Sequence, residues 1–306
     1  MPGPSARTEG SIRGIPENRV SLRGDATPKR LSVFEEVGCA GPAGTRDPGA
    51  PTSLGRMTRP VALITGVGRT VGIGAGIART LAADGWDLAL SYWTPADEAI
   101  FGSAAAHGLD RVVAELEASG ARVAAIPVDL ERADAAASVV SKAVELLGPI
   151  EALVLSHAWD VDSGLLDTSV EQFDKHFAIN TRASWLLIAE FARQASSGGA
   201  IVALTSDHTA GNLPYGASKG ALDRIVIAAA KELAPQGISA NVLNPGPIDT
   251  GWMTGDVRVA LTAMQPSGRL GTPADVANLV AFLASEKGRW VTGQLLTSDG
   301  GFSISI

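Results

Sequence analysis

Cysteine is nearly absent from this sequence, and so are the long apolar runs of membrane proteins. Cys39 is the single cysteine among 306 residues, which excludes an intramolecular disulfide. Its surroundings hold no cluster of histidines, so no zinc-binding pattern is predicted. No stretch approaches about 18 uninterrupted apolar residues, and the N-terminus lacks the apolar core of a secretory signal. We therefore expect a cytoplasmic protein with no membrane partner and no metal.

An excess of positive charge is missing as well. The net charge is −7, and residues 1–56 carry eight Lys/Arg against six Asp/Glu, so the remainder of the chain is the acidic part. An acidic body argues against nucleic acid as the main partner.

The first 57 residues differ in composition from the rest. Residues 1–56 hold 16 Gly and Pro and almost no periodic apolar pattern, which is typical of disordered segments. We expect residues 1–57 to form a disordered extension, either a targeting or regulatory tail or, as we prefer, a dispensable one. Residues 58–306 are expected to form one folded domain.

From residue 60 onward, short apolar runs of strand length alternate with helical patterns. The runs are continuous, as expected of parallel strands that are covered on both faces. This order predicts a doubly wound α/β domain of the Rossmann type with a parallel sheet. The predicted strands are 61–65, 87–92, 122–128, 151–155, 200–205, 238–243 and 295–297. The predicted helices are 74–83, 104–118, 133–147, 170–195, 214–233 and 274–284.

Glycines fill the connection between the first strand and the first helix, where residues 65–76 read T-G-V-G-R-T-V-G-I-G-A-G. Glycine lets the backbone turn sharply and approach a pyrophosphate closely, and the helix N-terminus offers free N–H groups. A tight turn alone also needs glycine, so the pattern gains its weight from its place after the first strand. It predicts a dinucleotide site at Gly66, Gly72 and Gly74.

The residues after the second and third strands bear on the choice of cofactor. An acid after the second strand would hold the ribose 2′-hydroxyl of NAD, but residues 91–93 read S-Y-W and no acid precedes Asp97. Arg69 in the glycine loop could meet a 2′-phosphate. We therefore expect NADP, with NAD as the alternative. Asp129, after the third strand, could accept a hydrogen bond from adenine or cap the next helix.

Tyr215 and Lys219 are four residues apart and would share one face of a helix. Ser206 lies upstream, at the end of the fifth strand. A phenol, an ammonium and a hydroxyl can work as an acid–base unit, because a nearby ammonium favours the phenolate and lowers its pKa. The same spacing occurs by chance on many helices, so the rest of the chain has to support the interpretation.

Together these segments resemble the short-chain dehydrogenase/reductase family in its single-domain form, most of all the 3-oxoacyl carrier-protein reductases and their relatives. The resemblance covers about residues 58–306. Tyr-x-x-x-Lys alone is common, whereas the ordered set is specific. It consists of the glycine loop, Asp129-Leu130, Asn180, Ser206, Y-G-A-S-K at 215–219, Asn241, N-P-G-P-I-D-T at 244–250, and a tail with Gly293-Gln294 and Asp299-Gly300-Gly301.

The resemblance implies a role for each matching residue. Tyr215 would exchange the proton of the carbonyl or alcohol oxygen, and Lys219 would bind the nicotinamide ribose and lower the Tyr215 pKa. Ser206 would hydrogen-bond to the substrate oxygen, and Asn180 would support a bound water in a proton relay. The residues that would approach the nicotinamide end of the cofactor are Ala158, Pro245, Gly246 and Thr250.

Three departures from the family pattern stand out. Five residues separate Gly66 from Gly72, where the family usually has three. The segment Asn-Asn-Ala-Gly after the fourth strand is replaced by S-H-A-W at 156–159, in which His157 is either a second acid–base group or, as we prefer, a structural histidine. The loop between Ser206 and Tyr215 is about four residues shorter than usual, and His208 could point into the opening or into solvent.

We expect an oxidoreductase that transfers a hydride between NADP(H) and a small-molecule carbonyl or secondary alcohol. The alternative is a catalytically silent, dinucleotide-sensing protein, which the altered 156–159 segment favours. Within the family an enoyl reductase is not expected, because those usually place Tyr and Lys farther apart. Residues 251–268 would form a substrate lid with Trp252, Met253, Leu261 and Met264, which suits an apolar or aromatic substrate. Apolar residues around helices 170–195 and 214–233 suggest a homo-oligomer, a tetramer or a dimer as in the relatives.

Overall fold

The computed structural model describes residues 59–102, 107–251 and 253–304. The predicted extension, residues 1–57, lies outside the described residues, and so does Trp252 of the predicted lid. The domain boundary at residue 58 therefore stays a prediction.

The described strands form one parallel sheet in the order β3-β2-β1-β4-β5-β6-β7. With helices between successive strands, this is the predicted doubly wound Rossmann fold. The order of the strands reverses between β1 and β4, so a crevice opens at their carboxyl ends. The strands are β1 (Val61–Thr65), β2 (Asp87–Tyr92), β3 (Val123–Pro127), β4 (Ile150–Leu155), β5 (Gly199–Leu204), β6 (Ile238–Asn244) and β7 (Leu295–Thr297).

Strand β1 shows why the strand sequences are apolar throughout. Successive residues of a strand face opposite sides of the sheet. Leu63 packs in one core cluster with Leu187 and Phe191, whereas Ile64 packs in the other with Leu81. Both sides of the sheet are covered, so a strand that alternated apolar with polar residues would bury polar groups.

The helices differ from the prediction mainly where the chain lacks apolar periodicity. The segment after β2 contains an unpredicted eight-residue helix, and the next helix begins at Gly108 rather than at residue 104. A further unpredicted helix lies in the predicted lid, and none of its residues is buried. The helices are α1 (Ile73–Ala83), α2 (Thr94–Phe101), α3 (Gly108–Ala118), α4 (Ala135–Leu147), α5 (Val170–His176), α6 (Ser184–Gln194), α7 (Leu213–Glu232), α8 (Gly255–Met264) and α9 (Pro273–Ala284).

The long helix predicted over 170–195 is continuous but not uniform. Between α5 and α6 the segment Phe177–Ala183 is π-helical. Such segments are rare and are frequently found at functional sites. This one carries Asn180, and the carbonyl of Ile179 within it is hydrogen-bonded to His157, outside the helix.

Candidate active site

A cavity of about 550 Å³ opens at the carboxyl ends of the strands. Its size and its position beside the reversal of strand order are typical of a small-molecule site. Of the four predicted catalytic residues, Ser206, Tyr215 and Lys219 line it and Asn180 does not. Every residue predicted to bind the cofactor lines it, namely Gly66, Arg69, Gly72, Gly74, Asp129, Ala158, Tyr215, Lys219, Pro245, Gly246 and Thr250.

The glycine loop has no room for side chains at two of its turns. Gly66 adopts a φ of +75°, and a Cβ there would lie 2.7 Å from the Cα of His157. A Cβ on Gly74 would lie 3.0 Å from the carbonyl oxygen of Gly66. No side chain caps the first turn of α1, which begins after Gly72 and lines the cavity. The N–H groups of that turn are therefore available to an anion.

The residues that lengthen the glycine loop pack against α2 and the start of α3. A Cβ on Gly68 would collide with the carboxylate of Asp97, and a Cβ on Gly108 would lie 2.8 Å from the carbonyl oxygen of Gly68. The longer glycine loop and the long segment after β2 thus fit together. As a result Asp97, the first acid after β2, is part of the cavity wall, which the sequence did not indicate.

Arg69 joins two walls of the cavity. Its Nη1 donates to the carbonyl oxygen of Thr250 at 2.8 Å, and its Nε lies 3.9 Å from Oδ1 of Asp97. Burial lowers the pKa of Arg69 and raises that of Asp97, and the attraction between them offsets this only in part. A contact between Arg69 and a 2′-phosphate stays a prediction.

Two polar groups lie near the ends of β2 and β3. Oδ1 of Asp129 accepts a hydrogen bond from the backbone N–H of Glu131 at 3.0 Å, but the helix that follows begins at Ala135 with Asp134 as its N-cap residue, so Asp129 does not cap that helix. Asp129 also lines the cavity, so the adenine interpretation stays open. The hydroxyl of Ser91 is buried in the cavity wall and has no hydrogen-bond partner among the described residues. A bound ligand would supply the partner that such a group normally has.

Tyr215 and Lys219 lie in the first two turns of α7, on one face, as predicted. The Nζ of Lys219 lies 5.7 Å from the centre of the Tyr215 ring and donates to the carbonyl oxygen of Leu204 at 2.9 Å. Ser206 lies two residues after the end of β5 and lines the same cavity as Tyr215 and Lys219. The helix and the strand end thus bring the predicted phenol, ammonium and hydroxyl together.

The protonation of this group differs from the expectation. The pKa of Tyr215 is raised, chiefly by burial and further by the negative charge of Asp160, while a hydrogen bond with Ser206 opposes the rise. Burial lowers the pKa of Lys219 to about 8, against the opposing effects of Asp223 and Asp160. The direction is opposite to the expected lowering of the Tyr215 pKa by Lys219, because burial is the largest effect and the charge of Asp160 adds to it.

Asn180 is completely buried behind the cavity. Its Oδ1 accepts from the N–H of Trp159 at 2.7 Å, and its Nδ2 donates to the Trp159 carbonyl and to Oγ of Ser218, each at 2.9 Å. Ser218 donates in turn to the carbonyl oxygen of Tyr215 at 2.8 Å. Asn180 therefore ties the segment after β4 to the helix that carries Tyr215, and its role toward a bound water stays a prediction.

His157 has the contacts of a structural histidine. Its Nε2 lies 3.0 Å from the carbonyl oxygen of Ile179 and 3.3 Å from Oγ of Ser184, and its Nδ1 lies 2.7 Å from Oγ1 of Thr65. A carbonyl only accepts, so Nε2 carries the proton and Nδ1 accepts from Thr65. Burial, together with the charge of Lys219, lowers the pKa of His157 to about 3. These contacts favour the structural interpretation over a second acid–base group.

The short loop before Tyr215 folds back onto α7. A Cβ on Gly216 would collide with the carbonyl oxygen of His208, and the N–H of Leu213 donates to the carbonyl oxygen of Ser163 at 2.9 Å. His208 is exposed and lines the cavity, so it lies at the entrance. The loop can be short because glycine at position 216 lets the two backbones approach.

A carboxylate that the sequence did not single out lies beside the residues predicted to be catalytic. Asp160 lines the cavity, and its Oδ1 accepts from Nδ2 of Asn212 at 2.6 Å. The same nitrogen donates to Oδ1 of Asp162 at 2.7 Å. Asn212 is 1 % exposed and stands directly before α7. The available signal was the position of Asp160, since residues that follow a parallel strand lie at the ligand-binding edge of the sheet.

The predicted lid contributes only part of its apolar residues. Met253 and Leu261 line the cavity, but Met264 is 64 % exposed. Trp159 and Phe302, from outside the lid, complete the apolar wall.

The apolar residues of helices 170–195 and 214–233 suggested an interface between subunits, but several of them belong to the core, namely Ala183, Leu187, Phe191 and Ala229. Trp185, on the same helical stretch, is 53 % exposed and was not one of the residues that suggested the interface.

Within residues 59–102, 107–251 and 253–304, no group of three or more His, Cys, Asp or Glu residues could hold a metal ion. No helix in these ranges has the length and apolar character needed to cross a membrane.

The chain is similar to known oxidoreductases in sequence and in structure. A family model described as "Enoyl-(Acyl carrier protein) reductase" matches residues 66–303. The uncharacterized oxidoreductase YjdA of Bacillus subtilis is 36% identical over 250 residues, which are 79% of this chain and 96% of that protein. Versicolorin reductase 1 of Dothistroma septosporum is 34% identical over 268 residues, 80% of this chain and 97% of that one.

Solved structures also share the fold, and their sequence identities are close to those of the two relatives above. A blue fluorescent protein from a metagenomic library, in complex with NADPH, has a TM-score of 0.73 and 35% identity, covering 81% of this chain and 99% of that chain. A short chain dehydrogenase from Burkholderia cenocepacia J2315, in complex with NADP, also has a TM-score of 0.73, with 33% identity over 82% of this chain and 100% of that one.

Proposed function

The chain belongs to the short-chain dehydrogenase/reductase family of oxidoreductases, and on that basis we propose that it transfers a hydride between NADP(H) and a carbonyl compound or secondary alcohol. One observation carries the proposal: the glycine loop, Ser206, Tyr215 and Lys219 line one cavity at the carboxyl edge of the sheet. A dinucleotide and a small substrate placed there would both contact the proposed proton donor.

The cofactor proposal rests on how well the cavity suits a dinucleotide. The first turn of α1 is uncapped at the cavity, and the Ser91 hydroxyl lacks a partner among the residues that the structure describes. The structures in complex with NADPH and NADP support NADP as the cofactor, with NAD as the alternative. Once bound, the nicotinamide supplies or accepts the hydride. The glycine loop and α1 would hold its pyrophosphate.

Tyr215 is proposed as the group that exchanges the proton with the substrate oxygen. Burial and Asp160 raise its pKa, so the phenol keeps its proton at neutral pH and can donate it. An alkoxide is far more basic than a phenolate, and donation in the reducing direction is therefore favourable. Ser206 would hold the substrate oxygen by a hydrogen bond. Lys219 would keep a positive charge near the developing phenolate.

The walls of the cavity bear on the substrate. Trp159, Met253, Leu261 and Phe302 offer an apolar surface that suits an aromatic or apolar carbonyl compound. The similarity to versicolorin reductase 1 is in keeping with reduction of such a compound. The family model's description names an enoyl reductase, and we favour carbonyl reduction because Tyr215 and Lys219 have the four-residue spacing of the carbonyl-reducing relatives.

A homotetramer in the cytoplasm, or else a homodimer, is proposed as the working form. In support, Trp185 is exposed beside a surface depression that Phe177 and Ile225 also line. A second copy of the chain would cover this apolar area. Sedimentation of the purified protein would measure the assembly, and a monomer at working concentration would contradict the proposal.

The function is tested with a panel of aromatic and aliphatic ketones, aldehydes and secondary alcohols, each with NADPH/NADP and NADH/NAD. Nicotinamide absorbance reports turnover, and an enoyl thioester is included as a separate arm. We expect ketone reduction with NADPH. Turnover of the enoyl thioester alone would contradict carbonyl reduction. Tight NADPH binding without any turnover would favour a dinucleotide-sensing protein instead.

The proton role is tested with Tyr215→Phe. We expect turnover to fall by a factor of at least about a thousand, because the phenyl ring has no proton to give. The dissociation constant for NADPH should stay within about threefold, which separates chemistry from binding. Undiminished turnover in this variant would overturn the proposed mechanism.

A further inference from the structure

The cavity contains a carboxylate for which the proposed hydride transfer has no use. Asp160 lies five residues beyond Leu155, the last residue of β4, and lines the cavity together with Ser206 and Tyr215. We infer that Asp160 recognises a hydrogen-bond donor of the substrate, an ammonium or hydroxyl group beside the reacting carbonyl, and disfavours substrates with an anionic group there. That the neighbouring group is a reacting carbonyl rests on the proposed function, whereas recognition of a donor by Asp160 does not.

Asp160 is held in place through its neighbour in the chain and through its own side chain. The preceding residue, Trp159, is fixed by both groups of the Asn180 amide. The carboxylate itself accepts from Asn212, which stands directly before the helix that carries Tyr215. A side chain fixed to the catalytic helix in this way has a defined position relative to the phenol, as a group that selects substrates requires.

The charge of Asp160 is only partly compensated by the protein. Its single hydrogen-bond donor in the described part of the chain is the neutral amide of Asn212, which it shares with a second carboxylate, Asp162. No lysine or arginine of the described ranges forms an ion pair with Asp160, and Lys219 of the same cavity donates to the carbonyl of Leu204 instead. Burial, and after it the charge of Asp162, raises the pKa of Asp160, against the hydrogen bond from Asn212 and the imidazoles of His176 and His208. A donor on a ligand would offset this partial desolvation, and an anion would add to it.

The apolar part of the cavity wall does not distinguish ligands by their charge. Trp159, Met253, Leu261 and Phe302 are apolar, so they bind ligands of either charge equally well. Among the charged groups that line the cavity, Asp160 is the carboxylate that Asn212 holds to the helix of Tyr215, so its charge favours a ligand with a donor at this place over one with an anionic group.

The binding test uses two ligands of matched size and opposite charge, 2-phenylethylammonium and phenylacetate. Each is titrated calorimetrically into the full-length protein, with and without NADP. We expect the wild-type protein to bind the ammonium at least tenfold more tightly than the carboxylate.

Asp160→Asn keeps the size of the side chain and an oxygen that can accept from Asn212. It should lower the ammonium-to-carboxylate preference by at least threefold. The matched control is Asp162→Asn, which loses a charge on the same Asn212 nitrogen but does not line the cavity; its preference should stay within twofold of the wild type. Asp160→Ser serves the same purpose should the Asn variant fail to fold.

The inference is overturned if the wild-type protein shows no preference for the ammonium, or if the preference falls by less than threefold on loss of the Asp160 charge. A kinetic arm compares three ketones that differ in one group, 2-hydroxyacetophenone, propiophenone and phenylglyoxylate. With NADPH, kcat/KM should fall in that order, and Asp160→Asn should bring the three kcat/KM values closer together. Reduction of all three without preference would count against the inference alone. Binding preference without any reduction would count against the proposed function alone.

Discussion

The side-chain amide of Asn180 hydrogen-bonds to both backbone groups of Trp159, with its Oδ1 2.7 Å from the N–H nitrogen and its Nδ2 2.9 Å from the carbonyl oxygen. Gln194 does the same to Ile150, at 3.0 Å and 2.9 Å. Ile150 begins β4, and Trp159 follows the end of that strand. The two amides therefore make the same contacts at opposite ends of one strand, and only one end is at the cavity.

This pairing offers a matched test of what Asn180 does. Asn180→Ala leaves the Trp159 backbone groups unpaired and should lower the free energy of unfolding by about 2–4 kcal/mol. It should also reduce kcat/KM at least tenfold, because Trp159 and Asp160 lose their fixed position. Gln194→Ala should destabilise comparably but keep kcat/KM within about threefold. Urea unfolding and steady-state kinetics measure both, and full activity in Asn180→Ala would contradict the positioning role.

His157 predicts a specific loss of stability in acid. In the unfolded chain an imidazole takes up a proton below about pH 6.5, whereas burial keeps His157 neutral in the folded protein down to about pH 3. The unfolded state binds more protons between these values, so stability falls as pH falls. From pH 7 to pH 5 the loss due to this residue is about 2 kcal/mol.

Two histidine variants isolate that contribution. His157→Asn places the family's usual residue there and should remove about 2 kcal/mol of the difference in unfolding free energy between pH 7 and pH 5. His107→Asn is the control, since His107 is exposed and asparagine tolerates its positive φ of 60°. It should keep the wild-type difference. Equal pH dependence in His157→Asn and the wild type would show that His157 is not buried in a neutral form.

The parallel sheet and the limits of its strands, to within one residue, could be predicted because continuous apolar runs and glycine turns are local signals. β2 and β7 match the predicted limits, and Ser206, Tyr215 and Lys219 meet because they follow or flank β5. Contacts between residues that are distant in the chain could not be predicted from these local patterns. Nothing in the local pattern places Asp97 against Gly68 or gives Asp160 its partner Asn212. The direction of the Tyr215 pKa also depends on burial, which spacing on a helix does not report.

Asp97 predicts how the choice between cofactors can be changed. Its carboxylate packs on Gly68 and lies near Arg69, so it opposes a negatively charged 2′-phosphate in this part of the cavity. Asp97→Asn should therefore raise the ratio of the NAD to the NADP dissociation constant by about tenfold. Glu98→Gln, an exposed neighbour on α2, should leave the ratio unchanged. Fluorescence titration measures both constants. A lower ratio in Asp97→Asn would mean that Asp97 does not face the phosphate.

Lys219 predicts an alkaline limit for cofactor binding. Burial lowers its pKa to about 8, so the ammonium is lost near that pH in the cofactor-free protein. The nicotinamide ribose of NADPH, which Lys219 is proposed to bind, then loses a charged hydrogen-bond donor, while the phosphates of the cofactor carry their full charge already. The dissociation constant should be flat below pH 8 and rise above it, by up to about tenfold per pH unit if only the charged form binds. Lys231→Met, exposed on the same helix, should keep the wild-type profile.

The midpoint of that rise should move when the charge beside Lys219 is removed. Asp223 lies one turn further along α7, and its negative charge raises the pKa of Lys219 against the larger effect of burial. Asp223→Asn removes this support, so the ammonium should be lost at a lower pH and the rise in the dissociation constant should begin there. Titration of NADPH binding by fluorescence between about pH 6 and pH 10 gives both midpoints. Lys219→Met should abolish the pH dependence altogether. A midpoint that stays in place or moves upward in Asp223→Asn would show that another group sets the alkaline limit.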